Sequence, residues 1–243
     1  MIIAFTTLLY GSDYLAWVLD SVKSYVDKVV ILYSPSPSEG YNQTVLACPD
    51  DRETLYNIAV NSAGEKLDWR GASVKTWQTV AALYPKADMI LELDSDEIIH
   101  QDLIDYLMVA YTRNLLTDRH YRLPFVHYWR SFKHACADAG WPIRLTLPKA
   151  TNDNVGFIDA EHGHIHHFGY AKEPRFMQYK MATSAHKGEW RPEWWQQTFL
   201  AYPDRLTDLH PVIRDFWNAQ VVHPGSLPRS LRYHPYYELE KIG

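Results

Sequence analysis

Asp94-Ser95-Asp96 closes an apolar run, Met89-Ile90-Leu91-Glu92-Leu93, and Glu97 follows it directly. Two carboxylates one residue apart at the end of a buried strand can both reach a hard divalent cation. A cation held there can bridge a diphosphate and neutralise a departing phosphate. Three acids in four residues also suit a solvated turn. A second concentration lies at His162-Gly163-His164-Ile165-His166-His167. On a strand His162, His164 and His166 share one face and His167 takes the other. Imidazole is a good zinc ligand, yet three same-face histidines without a cysteine make a poor tetrahedral cage. A polar hairpin with surface histidines is the plainer alternative. Asp153, Asp159 and Glu161 follow the acidic motif and are candidates for a general base, with Asp159 and Glu161 placed to project from a strand end. Trp190, Trp194 and Trp195 surround Arg191, and Trp129 and Trp141 flank a basic stretch. Such rings stack on sugars or bases, although tryptophan at helical spacing more often fills a core.

The elements that must position these groups alternate through the first hundred residues. Ile2–Leu9 is an apolar, β-branched run that predicts a buried strand. Gly11-Ser12-Asp13 ends it and offers an N-cap for a helix over Tyr14–Tyr25. Lys28–Tyr33 is the next strand, closed by a Ser/Pro loop over 34–40. A β-α-β unit of this kind predicts parallel strands and a right-handed crossover. Leu55–Val60 reads equally as a strand or a helix. Thr76–Leu83 predicts a helix stopped by Pro85, Ala87–Leu93 a buried strand and Leu103–Leu115 an amphipathic helix. Beyond residue 118 the pattern loosens. Tyr121–Trp129 and Ile143–Leu147 read as strands. Gly156–Asp159 and His164–Phe168 read as a hairpin around Glu161-His162-Gly163. Pro174–Met181 and Pro192–Leu200 read as helices, and the tail from His210 as irregular.

A strand at the start, a helix, a second strand ending in a loop and, about 60 residues on, an apolar strand ending in Asp-x-Asp together resemble the GT-A fold glycosyltransferases, particularly the family 2-like group. The matching pieces are Ile2–Leu9, Tyr14–Tyr25, Lys28–Tyr33 and Met89–Asp96. His166-His167-Phe168-Gly169-Tyr170 with Pro174, Met177 and Lys180 is similar to the segment that closes the sugar-nucleotide site in some of these enzymes. The chain departs from the family in two places. Ser34-Pro35-Ser36-Pro37 replaces an Asp-rich strand end, and the first strand carries Thr6, Thr7 and Tyr10 without the common Pro-Thr-x-Asn pattern. The resemblance implies an α/β, GT-A-like (Rossmann-type) mostly parallel sheet flanked by helices, with a more irregular C-terminal half. It implies that Asp96 and His167 ligate Mn²⁺ or Mg²⁺, and that Asp94 faces the ribose and, directly or through water, the metal. It places Thr6, Thr7 and Tyr10 at the nucleobase, Arg70 and Lys75 near the donor, and Asp68 at a uracil or ribose hydroxyl.

The expected activity is metal-dependent transfer of a sugar from a nucleotide-diphosphate donor, a UDP-sugar, to an acceptor hydroxyl. Two rival readings stay open: a nucleotidyltransferase, which normally carries a glycine-rich loop where only Gly11-Ser12 stands, and a non-catalytic sugar- or nucleic-acid-binding protein of the same fold. The chain of 243 residues predicts a single domain, with residues 1–110 as the nucleotide-sugar half and 111–243 as the acceptor side. Hydrophobic residues at 47% and charged residues at 22% exclude a disordered or fibrous chain. No apolar run is long enough to cross a bilayer, and the N-terminus reads as a strand rather than a signal peptide. Cys48 and Cys136 fit no paired spacing and read as reduced thiols in a cytoplasmic protein. The net charge of −5 hides an asymmetry. Residues 1–110 carry 7 basic and 16 acidic side chains, and residues 111–150 carry 7 basic and 2 acidic ones. The basic stretch, with Arg122, Arg130 and Lys133, points to an anionic acceptor: an acidic glycan, a lipid-linked sugar or modified DNA.

Overall fold

The computed structural model describes residues 1–37, 44, 46–71, 76–138, 140–184 and 188–243. The chain opens as expected. β1 (Ile2–Leu8), α1 (Leu15–Val22) and β2 (Lys28–Tyr33) form the β-α-β unit, with the strands parallel and Ala4 opposite Val29. The undecided stretch is helical: α2 (Arg52–Ala63) starts where the Asp51 side chain accepts from Thr54 N at 2.8 Å, a helix N-cap. β3 (Leu67–Gly71), which its mixed residues do not announce, then pairs with β2. α3 (Trp77–Leu83) and β4 (Met89–Glu92) follow, and after the acidic turn come β5 (Glu97–Ile99) and α4 (Gln101–Thr112).

The second half corrects several expectations. Tyr121–Trp129 is two strands, β6 (His120–Arg122) and β7 (Phe125–Trp129), which enter different sheets. The break falls at Leu123-Pro124, where proline has no N–H to offer a ladder. β8 (His134–Asp138) and β9 (Ile143–Thr146) follow, then β10 (Val155–Phe157) and β11 (Ile165–Tyr170). The last two form no hairpin. β10 pairs with β6, while β11 lies between β5 and β7. α5 (Pro174–Thr183), a π-helical turn at Trp195–Phe199 and the short β12 (Gln220–Val221) complete the regular structure.

The larger sheet has the order β10-β6-β9-β4-β1-β2-β3, and the smaller β12-β8-β7-β11-β5. In the larger one β9 runs antiparallel to both its neighbours, and every other pairing is parallel. Period-2 alternation sends the side chains of β1 and β2 to two cores. Ala4, Leu8, Val29 and Ile31 pack with α1, α2 and α4, whereas Ile3, Phe5, Val30 and Leu32 pack with Val80 of α3. Helices therefore cover both faces, which is why these strands read as continuous apolar runs. The first core continues into the smaller sheet through Phe125, Tyr128, Ile165 and Phe168, so the two sheets share one interior. Neither cysteine forms a disulfide among the described residues; Cys136 is buried and Cys48 half-buried. No helix among the described residues is long and apolar enough to cross a membrane.

The C-terminal tail is fastened at His234, which is buried against Tyr14 and Trp17 at ring-centroid distances of 4.7 and 4.2 Å. Its Nε2 donates to Asp13 O at 2.8 Å and its Nδ1 accepts from Tyr236 N at 3.0 Å. The bond accepted by Nδ1 needs the neutral ring, and burial lowers its pKa to about 4 against the Asp13 carbonyl, which favours charge. A histidine with a depressed folded pKa contributes stability that is present above the ordinary value of about 6.5 and is lost as pH falls towards the folded value. Urea midpoints measured between pH 7.5 and 4.5 should therefore fall with acid. His234→Phe should reduce that slope by up to one proton, about 1.4 kcal/mol per pH unit. An unchanged slope in the variant would show that His234 is not the titrating group.

Candidate functional site

The acidic turn lies where the chain leaves the larger sheet at β4 and enters the smaller one at β5. Carboxyl ends of parallel strands are where open α/β sheets bind ligands. The β1–α1 loop is pressed onto this turn. Ser95 Oγ donates to Tyr10 O at 2.9 Å, and a Cβ on Gly11 would stand 2.3 Å from Ser95 Oγ. Gly11 also has φ of +136°, so space and backbone both require glycine. The loop is held from its other side by Asp50, which accepts from Gly11 N at 2.7 Å and Ser12 N at 2.9 Å.

Asp13 caps no helix. Its side chain is buried and meets Lys172 Nζ at 3.0 and 3.3 Å, and the same ammonium lies 3.4 Å from Asp96 Oδ2. Lys172, two residues beyond β11, has no exposed side-chain surface. Burial works against its charge, but Asp13 and Asp96 outweigh it and keep the lysine pKa above its ordinary value. The rings of Tyr14 and Phe176 stand 5.0 and 5.5 Å from its Nζ. Burial likewise opposes charge on Asp96, yet Lys172, with Lys180 beside it, holds that carboxyl well below the usual carboxylate range. Asp96 is ionised at neutral pH.

His167 lies on β11 opposite Glu97 of β5 and His127 of β7. Its Nε2 is 3.6 Å from Asp96 Oδ1, and its Nδ1 is 2.6 Å from His127 Nδ1. Burial lowers its pKa well below the ordinary value, so the ring is neutral. In the tautomer where its Nδ1–H donates to His127, the Nε2 lone pair faces a carboxylate oxygen. In the other tautomer Nε2–H faces that oxygen, and in both the Lys180 ammonium stands close by. A separation of 3.6 Å is too long for a hydrogen bond. It suits two donors that each stand about 2.1 Å from one small divalent ion. The ring-to-ring bond to His127 is the support that metal-bound imidazoles ordinarily have. Asp96 and His167 therefore fit a cation as two of its ligands. Among the described residues no group of three or more His, Cys, Asp or Glu side chains converges on one point, so the protein would supply two ligands and a bound donor or water the rest. The absence of such a group also removes the zinc cage from the histidine segment. His166 points the other way and bonds Tyr128 Oη at 2.9 Å, and His162 stacks on Tyr106 of α4.

Other expected residues are placed differently. Asp94 accepts from Arg144 of β9 at 2.7 Å, in a cluster where Arg144 also meets Glu97 and lies 3.7 Å from Glu92. It is not gathered with Asp96 and His167. Burial pushes Glu92 up to about 7. Asp159 begins a turn by accepting from Glu161 N, and Glu161 is exposed beside His162, next to α4. Neither contacts Asp96. Thr6 and Thr7 lie inside β1, opposite Ile31 and Leu32, and Thr6 is buried. Tyr10 packs on Tyr179 and Phe176 of α5. Asp68 and Arg70 pair with each other on the edge strand β3, three strands from β4, and Tyr84 Oη also donates to Asp68. Lys75 lies outside the described residues. Asp13, His127, Arg144 and Lys172 were not expected at the site. Only the proximity of Lys172 to the His-Phe-Gly-Tyr segment could have drawn attention to it.

The basic stretch is not a surface patch. Arg130 is buried and donates to Lys172 O at 3.1 Å, Arg144 faces the acidic turn and Arg122 donates to Trp141 O at 2.5 Å. Arg119 pairs with Asp153, Lys133 with Glu240 and Lys149 with Asp88.

No protein-family profile and no curated protein matches this chain. Among solved structures, residues 1–349 of S. aureus TarS overlay with a TM-score of 0.34 at 12% identity, over 58% of this chain and 38% of that one. Glucosyl-3-phosphoglycerate synthase from Mycobacterium tuberculosis, solved with Mn²⁺, uridine diphosphate and phosphoglyceric acid, overlays with a TM-score of 0.32 at 20% identity, over 54% of this chain and 44% of that one. The chain thus spans less than half the length of these structures.

The contact between loop and turn gives a test. Gly11→Ala should destabilise the fold by about 1–3 kcal/mol through overpacking and backbone strain. Part of that loss should return in Gly11→Ala/Ser95→Gly, read as a favourable coupling in a double-mutant cycle of urea midpoints. Strict additivity would mean that Ser95 does not press on Gly11.

Proposed function

We propose that this chain is a glycosyltransferase of GT-A-like architecture that moves a sugar from a nucleoside-diphosphate donor, a UDP-sugar, to an acceptor hydroxyl. The observation that carries this is the Asp96–His167 pair, 3.6 Å apart where the chain leaves the carboxyl end of β4. The sheet order supports it, with one antiparallel strand, β9, beside the strand that delivers the acidic turn. Mn²⁺ or Mg²⁺ held by Asp96 and His167 would neutralise charge on the departing diphosphate. The chain's own groups prepare that place. Lys172 fixes one Asp96 oxygen so that the other faces His167, and His127 fixes the imidazole. Lys180, whose pKa burial lowers while Asp96 supports its charge, brings a second ammonium to the same spot. Preorganised charge of this kind is the main catalytic resource where a leaving group develops negative charge. An acceptor read from the basic stretch alone is not supported, because those cations are engaged inside the fold.

Calorimetric titration of UDP in the presence and absence of Mn²⁺ tests the reading. UDP binding should require Mn²⁺ and should fall by about 100-fold or more in Asp96→Asn and His167→Ala. His127→Ala should cost about 10–100-fold, as loss of a supporting partner does. Asp94→Asn should have a smaller effect, because Arg144 already holds that carboxylate. UDP binding that is indifferent to Mn²⁺, or intact in Asp96→Asn, would overturn the proposal.

A further inference from the structure

We propose that the cavity beside Lys180 is the acceptor subsite, that it takes a neutral glycoside, and that Glu189 accepts the proton of the attacking hydroxyl. This rests on the glycosyl-transfer reading above and gives it a substrate class and a base. The cavity measures about 440 Å³ and is walled by Tyr170, Lys180, Ser184, Glu189, Trp190 and His210, with the apolar stretch from Pro211 to Ile213 closing one side.

Its place follows from a close approach at Gly169. A Cβ there would lie 2.4 Å from His167 Nε2 and 2.9 Å from Lys180 Nζ, so imidazole and ammonium meet over a residue that has no side chain. Lys180 Nζ also donates to Gly169 O at 3.3 Å and lies 4.9 Å from the centre of the Tyr170 ring. One wall of the cavity is therefore a direct neighbour of the Asp96–His167 pair. A hydroxyl held in the cavity borders the point where the donor's diphosphate would be anchored.

The ligand class follows from the walls. Volume and lining match small-molecule sites, which run from about 300 to 1,000 Å³ and combine apolar faces with a few convergent polar groups. Trp190, Tyr170 and His210 offer ring faces for the C–H face of a pyranose. Trp190 stands edge-on to the buried Trp194 at 5.1 Å, which fixes its plane. Ser184, Glu189 and Lys180 offer hydrogen bonds to hydroxyls. The walls hold one ammonium and one carboxylate, so they balance, and the arginines and lysines of residues 119–149 that would track a polyanion are engaged elsewhere. A neutral polyhydroxyl ring fits this composition better than a phosphate-bearing one.

Within the cavity wall the carboxylate is Glu189; Asp159 and Glu161 sit beside α4. The acceptor oxygen would bond to the anomeric carbon as the bond from that carbon to the diphosphate oxygen breaks. The bonding pair leaves with the diphosphate, and the hydroxyl proton passes to Glu189. A single displacement of this form inverts the anomeric configuration.

Saturation-transfer NMR with methyl β-D-glucopyranoside and methyl α-D-mannopyranoside, and with inorganic phosphate as competitor, tests the site on the intact chain. The proposal expects at least one glycoside to bind, with affinity reduced about tenfold or more in Trp190→Ala and largely restored in Trp190→Phe, whose thermal melts report folding. It expects phosphate not to displace the glycoside. Glu189→Gln should keep glycoside and Mn²⁺–UDP binding but lose most release of UDP from a panel of UDP-hexoses. Absence of glycoside binding, binding indifferent to Trp190→Ala, displacement by phosphate, or full turnover in Glu189→Gln would each overturn it. Glycoside binding at Trp190 in a protein that never binds Mn²⁺–UDP would instead overturn the glycosyl-transfer reading and leave the cavity a sugar site.

Discussion

Lys172 lies between Asp13 and Asp96 with no exposed side-chain surface, and the functional end of the molecule depends on that link. Taking three charges out of water is expensive, and their attraction repays it only when geometry and neighbouring hydrogen bonds are good. Here the geometry is fixed by groups from three distant parts of the chain. Asp13 comes from the β1–α1 loop, Asp96 from the turn after β4, and Lys172 from just beyond β11. The backbone around the lysine is held in turn. Tyr14 Oη donates to Ala171 O, and the buried Arg130 donates to Lys172 O. Removing Lys172 would leave two buried carboxylates without their ammonium, a loss of about 3–5 kcal/mol in comparable cases, whereas removing either aspartate leaves one ion pair standing. The link therefore reports correct docking of the two sheets as well as orienting one carboxylate.

The two aspartates of the acidic turn differ in setting, Asp94 with nearly half of its side chain exposed and Asp96 buried. Asp94 and Asp96 leave the turn towards different partners. Asp94 meets Arg144 on the larger sheet, and Asp96 meets Lys172 and His167 at the smaller one. Close to Asp94, Glu92 and Glu97 both have raised pKa values from burial, so the cluster around Arg144 carries less negative charge than its formula suggests. Field at the site is thereby concentrated on Asp96, which Lys172 and Lys180 keep ionised against burial.

The sequence made this architecture readable where burial on both faces of a sheet wrote it as runs of apolar residues. β1, β2 and β4 are such runs, and the acidic motif is legible because it interrupts the last of them. β3 and β5 were not legible. Leu67-Asp68-Trp69-Arg70-Gly71 is an edge strand with mixed character, and Glu97-Ile98-Ile99 is too short to show a period. The hairpin expected after residue 155 failed because local alternation cannot say which strand is the partner. β11 finds β5 and β7, more than thirty residues away on either count, rather than its neighbour β10. At the site, Asp96 and His167 were visible as types at a telling place. Asp13 was visible too, but as a helix cap, since nothing in Gly-Ser-Asp announces a lysine that arrives 159 residues later.

Charge is where one-dimensional reading was least informative, and the reason is geometric. A stretch with 7 basic and 2 acidic side chains looks like a platform for an anion only if its residues share a surface. Residues 111–150 instead cross from the larger sheet to the smaller and back through β6, β7, β8 and β9, so successive cations emerge in different environments. Arg130 is drawn into the core behind Lys172 and lies over the Phe199 ring at 4.2 Å, and Arg144 is drawn to the acidic turn. Part of the excess of acid in the first 110 residues and of base after them consists of two halves of the same contacts. Arg144 neutralises acids of the turn, and Lys149 neutralises Asp88. A compositional asymmetry between segments that fold onto each other describes their mutual docking first. Composition alone does not show which cation remains at the seam, where Lys180 stands beside Asp96 and the neutral His167.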